Sequence, residues 1–419
     1  MRFTVVHAAD LHLDTPCSGL GRMAPLVAEA LREASLDAFD DLVDLCLRER
    51  ASILLLAGDI YDGSERGIRA QRRLRGGLER LGRQGVRTFI VHGNHDPLSQ
   101  WGDGDALPAG TVVFPADDVH AVPVEVDGVT LATVHGISFR EREESRNLAR
   151  LFHRRGGGLQ IGLLHCNVGD PEHAQYAPCS LDDLRQAGMD YWALGHVHRR
   201  RILLEGGPWA AYPGVLQGRS PAGGELGPKG AMVLSCDHAL GLAEPPRFAE
   251  LDRIRFEMLQ VDLTGAADVQ EAIDRLEAAA GEARQAAVGR AVVLRARLIG
   301  EFGAERELQL RQSEILQTLR EDGLQAEPFS WWDALELATS APIRRDEIRA
   351  GQDLAAEVLA EGDRLRADPE ELLRLMRQFD QELARFPLRD LQASGQAATE
   401  VLSDAEDICL RLLAGGDAR

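Results

Sequence analysis

The sequence contains no long apolar run and no paired cysteines, and both absences exclude classes of protein. A membrane-spanning helix needs roughly 18 or more consecutive apolar residues, and no such run occurs. The apolar run at the amino terminus is too short for a secretory signal peptide, and a charged residue, Asp10, follows it too soon. The six cysteines are scattered, which argues against a disulfide framework and a zinc knuckle. We therefore expect a cytoplasmic protein.

Lysine is nearly absent from this chain, and acidic residues outnumber basic ones by 67 to 47. Its formal net charge is -20, and Lys229 is the sole lysine among 47 basic residues. Contacts to nucleic-acid phosphates require positive charge, so a wholly basic nucleic-acid binder is excluded, while local arginine patches remain open. Repeats and low-complexity tracts are absent, and the 44% hydrophobic and 27% charged residues are ordinary for a globular protein. A length of 419 residues predicts two or three domains.

What the first half of the chain does contain is an alternation of apolar runs and helical periodicity, typical of an α/β sheet. Short alternating runs over 112–134 predict antiparallel strands that extend this sheet. The remaining predicted strands are 3–8, 52–57, 86–92, 160–164, 191–194 and 232–234, and the predicted helices are 25–50, 67–83 and 181–187.

Polar clusters follow five of these predicted strands. Sites in open α/β sheets form at the carboxyl ends of strands, so we expect the clusters to meet. Two imidazoles separated by one residue suit metal ligation, and a metal site of mixed character normally includes carboxylates. The clusters are Asp10-x-His12, Gly58-Asp59-x-x-Asp62, Gly93-Asn94-His95-Asp96, His165 and Gly195-His196-x-His198.

Together these clusters resemble the calcineurin-like metallophosphoesterases, whose pattern is D-x-H, GD-x-x-D, GNH[DE], H and GH-x-H, with every element present. The resemblance implies a sandwich of mixed β-sheets flanked by helices, and two divalent cations that clamp the attacking and leaving oxygens at phosphorus. Mixed nitrogen and oxygen ligation favours manganese, with iron or zinc as alternatives. By resemblance, Asp59 bridges both ions, one of which is held with Asp10, His12 and His198 and the other with Asn94, His165 and His196.

The resemblance also implies roles for the residues beside the ligands. His95 would face the scissile phosphate and protonate the leaving oxygen. Asp62 and Asp96 would orient such histidines.

The residues around the motif positions narrow the resemblance to the SbcD and YhaO type of DNA repair exonucleases. The strings are HAADLHLD (7–14), LAGDIYD (56–62), GNHD (93–96) and YWALGHVH (191–198). This resemblance covers roughly residues 1–235 and implies manganese-dependent cleavage of DNA ends by an exonuclease, with endonuclease activity as a further expectation. It further implies an SbcC-like coiled-coil ATPase as partner and allows a homodimer.

Evidence for DNA binding from the residues themselves is thinner. The triplet Arg199, Arg200 and Arg201 directly follows the last ligand, and the arginine-rich helix over 69–83 could also contact phosphates. Lys229 could contact a substrate phosphate and Trp101 could stack on a base, although solvation and loop packing are the simpler roles. Two other functions stay open: a phosphodiesterase or phosphatase for small nucleotides, and a non-catalytic scaffold for an ATPase.

Three domains are predicted. A catalytic domain covers 1–245, and the composition shifts near 244–246. A small α/β capping domain over 250–325 is indicated by a strand, helix, strand, helix order (255–263, 266–280, 291–299 and 306–321). A helical region over 340–415 has an excess of acid and the apolar stripe Leu372, Leu375, Met376, Phe379 and Leu383, as a docking segment for a partner helix would have.

Overall fold

A computed structural model describes residues 1–15, 25–63, 67–101, 107–170, 174–221, 223–383 and 395–414. The strands are β1 (Arg2–Ala8), β2 (Ile53–Ala57), β3 (Arg87–Val91), β4 (Thr111–Val113), β5 (His120–Val126), β6 (Val129–Gly136), β7 (Leu159–His165), β8 (Tyr191–Gly195), β9 (Arg201–Leu204), β10 (Trp209–Tyr212), β11 (Gly230–Asp237), β12 (Gly241–Leu242), β13 (Arg247–Glu250), β14 (Ile254–Asp262), β15 (Ala291–Glu301) and β16 (Ser330–Ser340). The α-helices are α1 (Pro25–Arg48), α2 (Ile68–Arg83), α3 (Leu181–Gln186), α4 (Val269–Ala286), α5 (Glu305–Leu324), α6 (Arg345–Arg349), α7 (Leu354–Ala367), α8 (Pro369–Leu383) and α9 (Gly395–Ala414).

Two large sheets carry the first part of the chain. The first has the order β12-β11-β1-β2-β3-β4, in which β1 to β4 run parallel and β11 pairs antiparallel with β1. The second has the order β5-β6-β7-β8-β10-β9 and contains both parallel and antiparallel pairs. Both sheets are therefore mixed, as expected from the sequence.

The two sheets share one apolar core. Val5, Leu55 and Val91 of the first sheet pack in the same buried cluster as Val134 and Leu163 of the second. Each fully buried side chain of this size contributes about 1.5–3 kcal/mol. Helices α1 and α2 cover the other face of the first sheet through a second buried cluster. The predicted α/β sandwich of mixed sheets flanked by helices is confirmed.

The predicted helices and strands of this region are present, with small shifts at their ends. One pairing differs, because the run over 111–113 adds to β3 as a parallel strand. The hairpin of β5 and β6 is antiparallel, as predicted for the run over 112–134, but it lies in the second sheet and does not extend the first. Helix α3 begins with a capping box, in which Ser180 and Asp183 satisfy each other's backbone N–H groups.

A third sheet, with the order β14-β15-β16, follows the sandwich. Strands β14 and β15 are parallel, with α4 between them in the chain. Strand β16 was not predicted. Trp331 and Trp332 are buried at successive positions, and the residues after them do not alternate regularly between buried and exposed, so the strand lacks the usual period of two. The predicted strand and helix order over 255–321 is otherwise present.

The chain divides into two compact units. The first contains Met1–Asp262, Gln270–Ile299 and Gln309–Ala338, and the second contains Leu263–Val269, Gly300–Leu308 and the chain from Thr339 onward. Most of the third sheet thus belongs to the same unit as the sandwich, and the three-domain division stays a prediction. No helix in the described ranges is long and apolar enough to cross a lipid bilayer.

Within the second unit, helices α7, α8 and α9 pack on one another. Leu372 and Leu375 of the predicted stripe lie in an apolar cluster with Leu365 and Ala398, so this part of the stripe packs inside the unit. Phe379 and Leu383 lie outside the described side chains. Buried Glu406 accepts hydrogen bonds from two arginines, Arg345 and Arg366.

Candidate metal centre

The five polar clusters of the sequence meet at one edge of the sandwich, where β1, β2, β3, β7 and β8 end. Backbone hydrogen bonds join the first two clusters, from Asp10 N to Gly58 O (3.1 Å) and from His12 N to Asp59 O (3.1 Å). Four non-glycine residues there have positive φ: Asp10 (50°), His12 (43°), Asp59 (50°) and His196 (105°). Such strained backbone concentrates at functional sites, where the surrounding structure enforces it.

One group of ligand atoms comes from Asp10, His12 and His198. One side-chain atom of each lies within 4.8 Å of the others. His198 Nδ1 donates to the Glu225 carboxylate at 2.9 Å, so the lone pair of Nε2 faces His12 Nε2, 3.3 Å away. Two imidazole nitrogens and a carboxylate oxygen converge in this way on a position that suits a divalent cation.

A second group contains Asp10, Asp59 and His165, again within 4.8 Å. His165 Nδ1 donates to Ala57 O at 2.9 Å, so its Nε2 faces Asn94 Oδ1 (3.1 Å) and Asp59 Oδ2 (3.4 Å). This matches the predicted neighbours of the second ion.

His196 reaches the centre differently. Its Nε2 donates to Ala174 O at 2.9 Å, which leaves Nδ1 as the ligating nitrogen. Its backbone N–H donates to Asp10 Oδ1 at 3.1 Å, and its ring lies 5.3 Å from that of His165. All seven predicted ligands are therefore gathered at one edge; their assignment to particular ions stays a prediction.

The pKa shifts of these side chains are those expected of ligands for divalent cations. Burial lowers the pKa of His165 to about 4 and that of His196 to about 3, so both imidazoles are neutral, as ligands must be. Burial and the neighbouring Asp59 carboxylate raise the pKa of Asp10 well above its ordinary value. Burial and Asp96 raise that of Asp59 to about 6. Crowded carboxylates of this kind gain a counter-charge when divalent cations bind.

Three motif glycines leave no space beside these ligands. A Cβ on Gly58 would lie 2.3 Å from His165 Nδ1, and one on Gly93 would lie 2.3 Å from Asp59 Oδ1. A Cβ on Gly195 would lie 1.8 Å from Ala57 O, the carbonyl that orients His165. Glycine is needed at each position because the backbone passes so close to the ligands.

His95 lies at the mouth of the centre and is held by Asp62. Its Nδ1 lies 2.5 Å from Asp62 Oδ1, and its side chain is 31% exposed. The His95 ring lies 5.1 Å from that of His12. The hydrogen bond to Asp62 raises the pKa of His95, which favours the protonated imidazole. This arrangement suits a proton donor beside the predicted metal ligands. Ligand atoms of His12, Asp62 and His95 also lie within 4.8 Å of one another, and the role of His95 stays a prediction.

The sequence had suggested that Asp96 holds a ligand histidine, and the structure shows a different role. It is fully buried, and its carboxylate accepts the backbone N–H groups of Ile60 (3.0 Å), Tyr61 (3.4 Å) and Gly93 (3.3 Å). Asp96 therefore joins the loop after β2 to the loop after β3, and its effect on the ligands passes through the backbone.

The predictions for two candidate DNA-contacting residues are corrected by their contacts: Lys229 is buried and Trp101 is partly buried. Lys229 is only 4% exposed, and its Nζ donates to Gly224 O at 2.9 Å, so it supports a loop and does not face a substrate phosphate. Burial lowers its pKa to about 8. Trp101 packs 4.3 Å from the His92 ring and 5.8 Å from the Tyr61 ring, so it fills the loop and is not free to stack on a base.

The arginines are partly engaged within the protein. Arg199, Arg200 and Arg201 are exposed, although Arg200 lies 4.3 Å over the Phe248 ring and Arg201 pairs with Asp170 at 2.5 Å. On α2, Arg69, Arg73 and Arg80 pair with acidic residues of α1. These three arginines of α2 thus join two helices, while the triplet stays a predicted DNA contact.

Two residues of the centre were missed from the sequence. Glu225 holds His198, and Arg219 contacts both Glu225 and Asp62. Burial would raise the pKa of Glu225, but the hydrogen bond from His198 and the charge of Arg219 lower it to about 2. Both residues lie in a glycine-rich loop without motif spacing, so only the three-dimensional fold identifies them.

We expect Glu225→Gln to weaken metal binding about 10- to 100-fold, because the partner of a ligating imidazole fixes its orientation and raises its basicity. Titration calorimetry with Mn²⁺ on chelator-treated protein is the measurement. Glu205→Gln, at an exposed carboxylate after β9, is the matched control. Equal affinity in both variants would show that Glu225 does not support a metal ligand.

Comparisons with known proteins agree with this geometry. Residues 3–200 match the calcineurin-like phosphoesterase family, and residues 256–340 match the middle domain of metallophosphoesterase YhaO. The uncharacterized metallophosphoesterase YhaO of Bacillus subtilis is 31% identical over 78% of this chain and 80% of its own length.

More distant relatives carry names from DNA repair. The DNA double-strand break repair protein Mre11 of Aeropyrum pernix is 28% identical over 51% of this chain and 53% of its own length, so the match spans about half of that relative. A subunit of the SbcCD nuclease of Rhodobacter capsulatus is 36% identical over 23% of this chain and 22% of its own. A dimetal phosphatase structure from Danio rerio is 16% identical, with a TM-score of 0.34 over 55% of this chain and 92% of that one.

Proposed function

The chain belongs to the calcineurin-like metallophosphoesterases, metal-dependent hydrolases of phosphate esters, and we propose that it is a DNA nuclease that processes DNA ends. The observation that supports the proposal is the gathering of seven predicted metal ligands, Asp10 and Asp59 among them, with His95 held by Asp62 beside them. The choice of DNA among phosphodiesters is supported by the relatives named for double-strand break repair and for nuclease activity.

The bound cations would clamp the attacking and leaving oxygens of an in-line displacement at phosphorus. Asp59 of the second ligand group, which the family resemblance assigns as the bridge, would balance charge from both cations. His95 would give its Nε2 proton to the departing oxygen, while Asp62 holds the ring through Nδ1. The mixed imidazole, carboxylate and amide donors favour manganese, with iron or zinc as alternatives.

The test uses the full chain with Mn²⁺ on end-labelled single- and double-stranded DNA, beside small nucleotide phosphoesters. The proposal expects shortening of the labelled DNA that stops when a chelator is added. Hydrolysis of the small esters alone would identify the phosphodiesterase or phosphatase alternative. A chain that binds metal and hydrolyses neither substrate would identify the scaffold alternative, which the intact ligand set disfavours.

We also propose that the helical tail binds a coiled-coil ATPase like the partner implied by the SbcD resemblance. Since Leu372 and Leu375 pack inside the second unit, the exposed apolar residues of α9 are the better candidates: Ile408 is 60% and Leu412 is 72% exposed. They are four residues apart and so lie on one helix face.

Deleting the chain from Pro342 should abolish co-purification with the ATPase and leave manganese-dependent hydrolysis of a simple phosphodiester intact. The double variant Ile408→Glu, Leu412→Glu should have the same effect without removing the tail, because a charge in an apolar contact costs several kcal/mol. If the double variant binds the ATPase as well as the parent chain does, the partner contacts a different surface. Loss of all hydrolysis on deletion would mean that the tail belongs to the core fold.

A further inference from the structure

Arg219 joins two carboxylates that each hold a histidine of the centre. Its Nη1 donates to Asp62 Oδ2 at 3.1 Å, while the other oxygen of Asp62 holds His95 Nδ1. Its Nη2 lies 3.4 Å from Glu225 Oε1, the oxygen that accepts from His198 Nδ1. A connected path therefore runs from the predicted proton donor to a predicted metal ligand.

The guanidinium of Arg219 is itself held in place. The Arg219 and Ser220 backbone N–H groups donate to Glu225 Oε2 at 2.6 and 3.0 Å, which closes the loop around this carboxylate. Lys229 Nζ supports the same loop through Gly224 O. The Arg219 side chain is 19% exposed, so most of it is enclosed by these partners.

Asp62 needs such a partner. Its side chain is 32% exposed, and a carboxylate held through one oxygen at the mouth of the site can rotate. With Oδ1 on His95 and Oδ2 on Arg219, both oxygens are held and the plane of the carboxylate is set. The plane of Asp62 in turn sets the direction of the His95 ring.

We propose that Arg219 is a positioning residue for the proton donor His95, acting through Asp62 and anchored by Glu225. The proposal rests on the proposed role of His95 but not on DNA as the substrate. Lysine cannot replace Arg219, because its single ammonium does not present the planar fork of donors that spans two carboxylates.

The test compares Arg219→Lys with the parent chain on two phosphodiesters. One has an alkyl leaving group that needs a proton, and the other is bis(p-nitrophenyl) phosphate, whose phenolate leaves without one. We expect kcat to fall about 10- to 100-fold on the alkyl ester, the range typical of lost orienting partners, and to change little on the aryl ester. KM should change little on both. Arg150→Lys is the control, since Arg150 pairs with Asp183 at the cap of α3.

A second readout needs no activity. In the metal-free, ¹⁵N-histidine-labelled chain, the Nδ1 proton of His95 should give a downfield signal, assigned by its loss in His95→Asn. The signal should broaden or move upfield in Arg219→Lys and stay in place in Arg150→Lys. This measurement decides the positioning role even if the chain hydrolyses no diester, an outcome that would count against the proposed function alone.

Three results would overturn the positioning role. A rise in KM of equal size for both esters would mean that Arg219 contacts the substrate phosphate. Loss of bound metal in Arg219→Lys would mean that it supports His198 through Glu225 and not His95. An unchanged His95 signal with unchanged kcat on the alkyl ester would leave Arg219 as a structural ion pair only.

Discussion

Asp59→Asn should empty the metal centre and abolish hydrolysis. Asp59 is 1% exposed, its Oδ2 lies 3.4 Å from His165 Nε2, and it belongs to the ligand group that also contains Asp10. If it bridges the two ions, its loss removes the charge that offsets both cations. The affinity for each ion should therefore fall by more than the roughly 10- to 100-fold typical of losing a ligand's partner. Elemental analysis beside turnover is the measurement.

Unfolding can be separated from this effect by the stability of the metal-free chain. The raised pKa of Asp59, about 6 against an ordinary 3.8, means that folding disfavours its ionised form. That penalty develops as the pH rises from about 4 to about 6 and is fully present at pH 7. Metal-free Asp59→Asn should therefore melt no lower than the metal-free parent at pH 7. Two ions retained per chain would contradict the bridging role, whereas a lower melting temperature would attribute the loss of metal to unfolding.

The composition of the centre could be predicted from sequence because its residues follow buried strands. Asp10, Asp59 and Asn94 come after β1, β2 and β3, which are parallel neighbours. Their carboxyl ends must therefore meet, whatever the loops do. His165 is the last residue of β7 and His196 directly follows β8, and these two strands are parallel neighbours in the second sheet. Packing the two sheets face to face then brings both sets of strand ends together.

Residues that depend on loop conformation could not be predicted in this way. Glu225 and Arg219 reach the centre from a loop between β10 and β11 whose path has no periodicity. Lys229 and Trp101 were given exposed roles because charge and aromaticity suggest contacts with DNA. Both are enclosed by neighbours distant in the chain, such as Asp252 for Lys229 and Tyr61 for Trp101, and burial of this kind is set by tertiary packing.

The roles of the two carboxylates near His95 show the same limit. Asp62 and Asp96 each follow a ligand by two or three positions, and the motif spacing predicts one role for both. In the structure, Asp62 is about one third exposed and bonds the His95 imidazole, while Asp96 is fully buried and bonds three backbone N–H groups. The direction of a carboxylate in a tight loop depends on the backbone dihedral angles of its residue. Motif spacing alone does not determine these angles.

His95→Asn should leave both ions bound and reduce turnover about 10²- to 10⁴-fold, the range that a positioned proton donor contributes. The backbone N–H of His95 donates to Asp59 Oδ1 at 2.9 Å, and asparagine keeps that bond. The imidazole bonds Asp62 and is not part of the Asp10, Asp59 and His165 group, so its removal takes no ligand from that group. It does lie in a third group with His12 and Asp62, so the metal content of His95→Asn is the measurement that decides its role.

The leaving group separates a proton donor from a ligand in this variant. An alkoxide needs a proton as it departs from phosphorus, whereas p-nitrophenolate does not, so the loss in His95→Asn should shrink to a few-fold on bis(p-nitrophenyl) phosphate. Asp59→Asn should lose activity on both esters alike, because the cations themselves are gone. Metal content measured beside both rates decides the matter: if His95→Asn releases metal as Asp59→Asn does, His95 is a ligand and the assigned roles are wrong.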